Sequence, residues 1–174
     1  MALEQIIPYL FVMALYTPAG AFLAVAGWLL GPMDDTKELG VVTLFTGFFQ
    51  TISIILLFIV GNGFGAVTVV PLAFAWYILG ITAIAGFAHF RPLANTLIPL
   101  VIFYVVEAIY LLTTHAIMLP IMILSYAVVV TMLIIWIYKG YKGLQKPTAY
   151  VLILEGILTI LLPTLMFMTG IPLP

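Results

Sequence analysis

The stretch from Thr148 to Thr169 reads TAYVLILEGILTILLPTLMFMT, an apolar run with one charged residue, Glu155. A helix needs about 20 mostly apolar residues to cross the roughly 30 Å hydrocarbon core of a bilayer, and this run is long enough. Similar runs fill most of the remaining chain, at residues 5–30, 39–60, 67–88, 93–113 and 117–138. The pattern predicts an all-α membrane protein, a bundle of six transmembrane helices.

The composition supports this prediction. The 174 residues are 66% hydrophobic and 6% charged, which leaves too few polar side chains to cover a water-facing surface. No linker or extramembrane segment divides the chain, so we expect one integral membrane domain over residues 1–174. The start carries Glu4 and no basic segment, which indicates a retained first helix rather than a cleaved signal.

The five basic residues all lie in odd-numbered connections. Lys37 is in the first connection, Arg91 in the third, and Lys139, Lys142 and Lys146 are in the fifth. The second and fourth connections carry no Lys or Arg. By the positive-inside rule the odd connections are cytoplasmic, and both termini are extracellular.

Only two charged residues, Glu107 and Glu155, lie inside the predicted spans, and no Lys, Arg or His shares those spans with them. An ionisable residue at membrane depth indicates a functional site. A carboxylate without a basic partner must be protonated, reached by a water-filled path or hydrogen-bonded to neutral donors. Each of these environments suits the binding of a neutral polar molecule. Counting along the spans places Glu155 roughly 10 Å from the cytoplasmic side and Glu107 a similar distance from the outer side, at two levels of one path.

Polar and small residues recur at helical spacing along four spans, which predicts an inward face on each. The stripes with Gln50, Glu107 and Glu155 are interpreted as lining a path, because amides and carboxylates are costly at membrane depth. Small residues more often pack helices together, and we assign that role to Gly20, Ala24, Gly27, Gly80 and Ala83. The stripes are Tyr9, Met13, Tyr16, Gly20, Ala24 and Gly27; Thr43, Thr46, Gly47, Gln50 and Ser53; Thr96, Phe103, Glu107, Tyr110 and Thr114; and Thr148, Glu155 and Thr159.

Several aromatic residues lie deep in the spans. Deep aromatic side chains usually belong to the core, but flat rings can also form a narrow slot for a planar molecule. The candidate pore-lining residues are therefore Glu155, Thr159, Glu107, Gln50, Trp76, Tyr77, Phe74 and Tyr126.

Several function classes lack the residues they need. The chain has no cysteine, no assembled catalytic constellation and no basic patch, so we expect no enzymatic activity, no cofactor or metal site and no nucleic-acid partner. No lysine lies inside a span to form a Schiff base with retinal.

The segment Glu155-Gly156-Ile157-Leu158-Thr159, followed by Pro163, resembles the last-helix signature of the AmiS/UreI family of urea and short-chain amide channels. The Phe90-Arg91-Pro92 turn, the Phe45-Thr46-Gly47 region and the six spans are also similar to family features. The resemblance implies three helical hairpins around a narrow path in each protomer, and a hexameric ring of protomers in a bacterial cytoplasmic (inner) membrane. It also implies passive flux of urea, formamide or acetamide toward a cytoplasmic urease or amidase, with Glu155 as the pore-lining glutamate.

Two departures from the family pattern matter. Acid-activated members have a long histidine-bearing loop after the second helix, whereas this connection spans only residues 61–66, so acid gating is not expected. Those members also carry a tryptophan cluster on the fifth helix, where this chain has Ser125, Ala127 and Thr131 beside Tyr126. The choice between urea and an aliphatic amide stays open.

Three hypotheses follow for the function. The favoured one is a passive channel for urea or short amides. The first alternative is a proton-coupled small-solute transporter that uses Glu107 or Glu155 as its protonation site, since intramembrane carboxylates also serve as proton relays. The second is a structural subunit that transports nothing.

Overall fold

The computed structural model describes residues 3–32, 35–86, 90–113, 117–139 and 142–169. Within these residues every regular element is an α-helix, and six helices are long and apolar enough to cross a membrane. The predicted six-span all-α fold is confirmed. The helices are α1 (Leu3–Leu30), α2 (Thr36–Ile59), α3 (Gly63–Ala85), α4 (Arg91–Thr113), α5 (Met118–Lys139) and α6 (Lys142–Thr169).

Helices α3 and α6 begin four and six residues earlier than the hydropathy pattern predicts, the largest differences among the helix starts. Helix α3 starts at Gly63 because the side chain of Asn62 caps it, accepting a hydrogen bond from the backbone N–H of Gly65 at 2.8 Å. The connection predicted at residues 61–66 is shorter still as a result. Helix α6 starts at Lys142 and continues through Pro147, which has no backbone N–H to donate to the carbonyl oxygen of Gly143.

The six helices form a closed ring. Each packs against its neighbours in sequence, and α6 packs against α1. The most extensive contacts join α2 with α3, α4 with α5, and α1 with α6. The ring thus consists of two consecutive hairpins and a third antiparallel pair made by the first and last helices. We call the end that carries Lys37, Arg91, Lys139 and Lys146 the basic end.

Glycines allow close approach within two of these pairs. A Cβ atom added at Gly80 would lie 2.9 Å from the carbonyl oxygen of Gly40 on α2, and one added at Gly156 would lie 3.3 Å from the carbonyl oxygen of Ala19 on α1. Small residues at such crossings bring membrane helices together. The same role predicted for Gly20 and Gly27 is wrong within the protomer, since no atom lies within 4 Å of a Cβ added at either.

Helix α1 buries a different face from the one predicted. Tyr9, Met13, Gly20 and Gly27 are exposed, whereas the buried side chains are apolar: Ala14, Leu15, Ala19, Ala21, Phe22, Val25, Ala26 and Leu29. Weakly polar or small residues lose little by facing lipid, so their spacing does not identify the inward side.

Candidate functional site

A cavity of about 50 Å³ lies inside the ring, in the half nearer the basic end. Toward that end Trp28 packs edge-on against Phe90 and Trp136, with ring centroids 6.0 Å apart in both pairs. The cavity wall is apolar or aromatic almost throughout, so an ion in it would lose its hydration shell with no compensation. The other lining residues are Phe22, Val25, Leu39, Leu72, Ala75, Trp76, Leu79, Leu93, Leu97, Leu100, Val130, Leu133 and Ile137.

A row of four aromatic side chains runs through the interior of the ring, from α3 through α1 and α5 to α4. Trp76 packs edge-on against Phe22 with ring centroids 5.2 Å apart, Phe22 lies 5.7 Å from Tyr126, and Tyr126 lies 5.8 Å from Tyr104. All four side chains are buried. The structure thus brings two of the predicted aromatic residues, Trp76 and Tyr126, to the centre of the protein.

Glu155 is buried in the middle of α6 and bonded to neutral hydroxyls. Its Oε1 accepts a hydrogen bond from the Ser125 hydroxyl of α5 at 3.0 Å, and the Thr159 hydroxyl lies 3.5 Å from the same oxygen. Tyr126 in turn donates to Thr159 at 3.3 Å. Among the described residues no cation pairs with Glu155, so the carboxyl group is held by neutral donors, one of the three environments expected for it.

Glu107 has similar surroundings on α4, which α5 separates from α6 in the ring. Its Oε1 accepts a hydrogen bond from the Thr68 hydroxyl of α3, and its Oε2 is buried with no partner among the residues that the structure describes. One turn earlier on α4, the Tyr104 hydroxyl is also buried and finds no partner in the described part of the chain. This hydroxyl lies within electrostatic range of both Glu107 and Glu155.

Gln50 is fully buried on α2, and neither of its amide atoms has a hydrogen-bond partner within the described ranges. It lies about three whole helical turns from Leu39, which lines the cavity, so both residues share the inward face. Thr43, Thr46 and Ser53 on this face donate to backbone carbonyls of their own helix. Gln50 is therefore the side chain on this face with hydrogen-bonding capacity to spare.

The structure does not bring Phe74 and Tyr77 to the centre. Phe74 is 61% exposed on the outside of α3. Tyr77 shares a 3.0 Å hydrogen bond with Thr51 of α2 and borders an outer groove beside Phe45 and Phe48. The inward face of α3 is set by Leu72 and Trp76, and Phe74, between them in sequence, points to the opposite side.

The two glutamates occupy different positions along their helices. Glu155 is roughly 20 Å along α6 from Lys142 and roughly 21 Å from Thr169, so it lies near the middle of its helix. Glu107 is roughly 24 Å along α4 from Arg91 and roughly 9 Å from Thr113, close to its predicted distance from that end of the helix. The two levels of one path stay a prediction.

Four residues of this region were not among the sequence candidates. Thr68 and Ser125 are the hydroxyl donors to the two glutamates. Tyr104 lies three residues before Glu107, a spacing that places both on one face of a helix and could have identified it. Phe22 carries no sequence signal that separates it from other apolar residues of α1.

The interior of the ring therefore combines flat aromatic rings with buried carboxyl, amide and hydroxyl groups whose hydrogen-bonding capacity the described residues do not use up. Such groups suit a small uncharged molecule that both donates and accepts hydrogen bonds. In the part of the chain that the structure describes, no group of three or more His, Cys, Asp or Glu side chains is placed to hold a metal ion.

The model of the AmiS/UreI family of transporters matches residues 10–171 of the chain. No curated protein matches the chain. No solved structure matches it either. The family match spans all six membrane helices, and the chain therefore belongs to the AmiS/UreI family of transporters.

Proposed function

We propose that the protein is a passive channel for small neutral amides such as urea, formamide and acetamide, which pass through the centre of each protomer. The observation that carries this proposal is Glu155, buried near the middle of α6 and hydrogen-bonded to Ser125 with no cation beside it in the described residues. A carboxyl group that is held by neutral donors and lies beside a row of aromatic rings can accept hydrogen bonds from a polar, uncharged permeant.

The chemistry of passage follows from these groups. An amide that enters the conduit loses water, and the side chains must replace part of its hydration. Glu155 accepts hydrogen bonds from the amide N–H groups, while the Tyr104 hydroxyl and the Gln50 amide donate to its carbonyl oxygen. Trp76 and Tyr126 present flat rings to a planar molecule. Binding stays weak, because a permeant must leave as readily as it arrives.

The cellular setting is also part of the proposal. The basic end faces the cytoplasm of a bacterium, and both termini are extracellular, as the distribution of basic residues indicates. Protomers assemble as a hexamer in the inner membrane, and the exposed aromatic face of α2, with Phe45, Phe48 and Phe49, is available for contact with lipid or a neighbouring protomer. The amide that enters supplies a cytoplasmic urease or amidase.

Stopped-flow light scattering on proteoliposomes tests the proposal. With urea, formamide or acetamide outside, we expect rapid, non-saturating flux without any ion gradient, and much slower flux for the Glu155→Gln variant. Glu38→Gln is the matched control, because Glu38 is exposed in the first turn of α2. Flux that requires a proton gradient would favour the proton-coupled transporter, and flux equal to that of protein-free liposomes would favour a structural subunit.

A further inference from the structure

An apolar groove of about 500 Å³ lies on the outside of the ring, between α2 and α3. Its walls are Val41, Leu44, Phe45 and Phe48 of α2 and Tyr77 of α3. Val41, Phe45 and Phe48 are 45%, 59% and 52% exposed, so the described part of the protomer leaves the groove open. Whatever fills the groove in the membrane must come from outside these residues.

The α3 wall of the groove is held in place before anything binds. The Tyr77 hydroxyl shares a 3.0 Å hydrogen bond with Thr51 of α2. A Cβ atom added at Gly47 would lie 3.3 Å from two carbon atoms of the Tyr77 ring, so this glycine lets the ring pack directly against the α2 backbone. Because the ring is fixed at its hydroxyl and at its carbon atoms, an occupant of the groove would not have to order it.

Lys37 lies on the same face of α2 as the groove. It is exposed in the first turn, and Lys37, Val41, Leu44 and Phe48 follow one another at four- and three-residue spacing, which places them on one side of the helix. The α2 wall runs from roughly 8 to roughly 18 Å along the helix from Thr36. Since half of a hydrocarbon core of about 30 Å is about 15 Å, the groove lies at the depth of acyl chains and Lys37 at the level of headgroups.

The acidic residues next to Lys37 in sequence lie away from the groove. Asp35 and Glu38 border a different crevice, on the side of α2 that faces α1. On α3, the exposed side chains that continue the groove face toward the basic end are Ile81 and Ile84, which carry no charge. Among the described residues, the charge at the end of the groove is therefore positive.

We propose that this groove binds an anionic phospholipid, with one acyl chain between α2 and α3 and the phosphate beside Lys37. A lysine near the membrane surface attracts anionic headgroups, and its apolar stem can lie along the groove while the ammonium group reaches the interface. The cation at headgroup level on the groove face favours a lipid over a second copy of the chain. This binding does not depend on amide flux, so it stands or falls separately from the proposed function.

Native mass spectrometry of the purified protein tests the proposal, because one spectrum counts both bound lipids and protomers. The probes are phosphatidylglycerol and phosphatidylcholine with identical acyl chains. We expect the unmodified protein to bind phosphatidylglycerol more tightly, and Lys37→Gln to lower that affinity on the order of fivefold while phosphatidylcholine binding stays unchanged. Lys146→Gln is the matched control, because Lys146 is exposed at the same end of the protein and borders no part of the groove.

A second variant fills the groove itself. Val41→Trp should lower the affinity for both lipids, whereas Val128→Trp, at a valine of α5 that is 55% exposed, should lower neither. Equal affinities of the two lipids for the unmodified protein, or equal losses in Lys37→Gln and Lys146→Gln, overturn the proposal. A Val41→Trp protein that loses protomers from its assembly and keeps its lipid assigns the groove to a second copy of the chain, which also overturns it. If Val41→Trp fails to fold, the two lysine variants still decide the question.

Discussion

The crossing of α2 and α3 at Gly40 and Gly80 makes a quantitative prediction. The Gly80→Ala substitution would place a methyl group 2.5 Å from Leu44 Cγ and 2.9 Å from the backbone carbonyl oxygen of Gly40. Leu44 can change rotamer, but the carbonyl belongs to a helix backbone and moves only with the helix. Ordinary contact begins near 3.4 Å, so the two helices must separate by about 0.5 Å.

Overpacking of this kind costs about 1–3 kcal/mol, of which the better helix propensity of alanine returns up to about 1 kcal/mol. With the full offset, we therefore expect Gly80→Ala to lower the free energy of unfolding by up to about 2 kcal/mol. The shift also displaces α2, which carries Gln50, so amide flux should fall as well. Thermal or denaturant unfolding in detergent, followed by circular dichroism, measures the first effect, and proteoliposome flux measures the second.

Gly20→Ala is the matched control, because nothing lies within 4 Å of the added Cβ. It should leave stability unchanged or raise it by up to about 1 kcal/mol through helix propensity. Equal stability of the Gly80→Ala and Gly20→Ala variants would refute the close approach of α2 and α3 described above.

Two further predictions concern the proposed conduit. Phe74→Leu should leave amide flux unchanged, because the Phe74 side chain is exposed on the outside of α3. A large loss of flux in proteoliposomes would contradict this placement and show that Phe74 lines the path. Ser125→Ala removes the 3.0 Å hydrogen bond to Glu155 and should destabilise the protein by about 0.5–1.5 kcal/mol and slow urea flux, though less than Glu155→Gln does. Denaturant unfolding and proteoliposome flux of the same Ser125→Ala sample test both effects. Unaltered flux would show that the Ser125 hydrogen bond does not position the Glu155 carboxyl group.

The sequence predicts the number and type of the helices well, because the length of an apolar run is fixed by the thickness of the bilayer. It locates helix ends less well. Asn62 extends α3 by capping it, and the polar residues before Thr148 continue α6 toward the basic end. Such ends depend on local hydrogen bonds and not on hydropathy.

The inward faces are predictable only where the polar residue is costly in lipid. Gln50, Glu107 and Glu155 are buried as predicted, whereas Tyr110 and Thr96 of the α4 stripe are exposed. A hydroxyl can bond to its own helix backbone, as Thr96 does to the carbonyl of Leu93 at 2.8 Å, and can then face lipid at little cost. An amide or carboxyl group has no such local solution, so its position carries more information.

The pairing of α1 with α6 has a consequence for biogenesis. Of the six helices, α1 is translated first, yet its main partner α6, which carries Glu155, is translated after the other five. Gly156 of α6 packs against Ala19 and Leu23 of α1. Until α6 is made, this side of α1 has only lipid to pack against. A chain that lacks α6 leaves a gap in the ring between α1 and α5, so in a stalled or truncated product the side chains that pack on α6 face lipid.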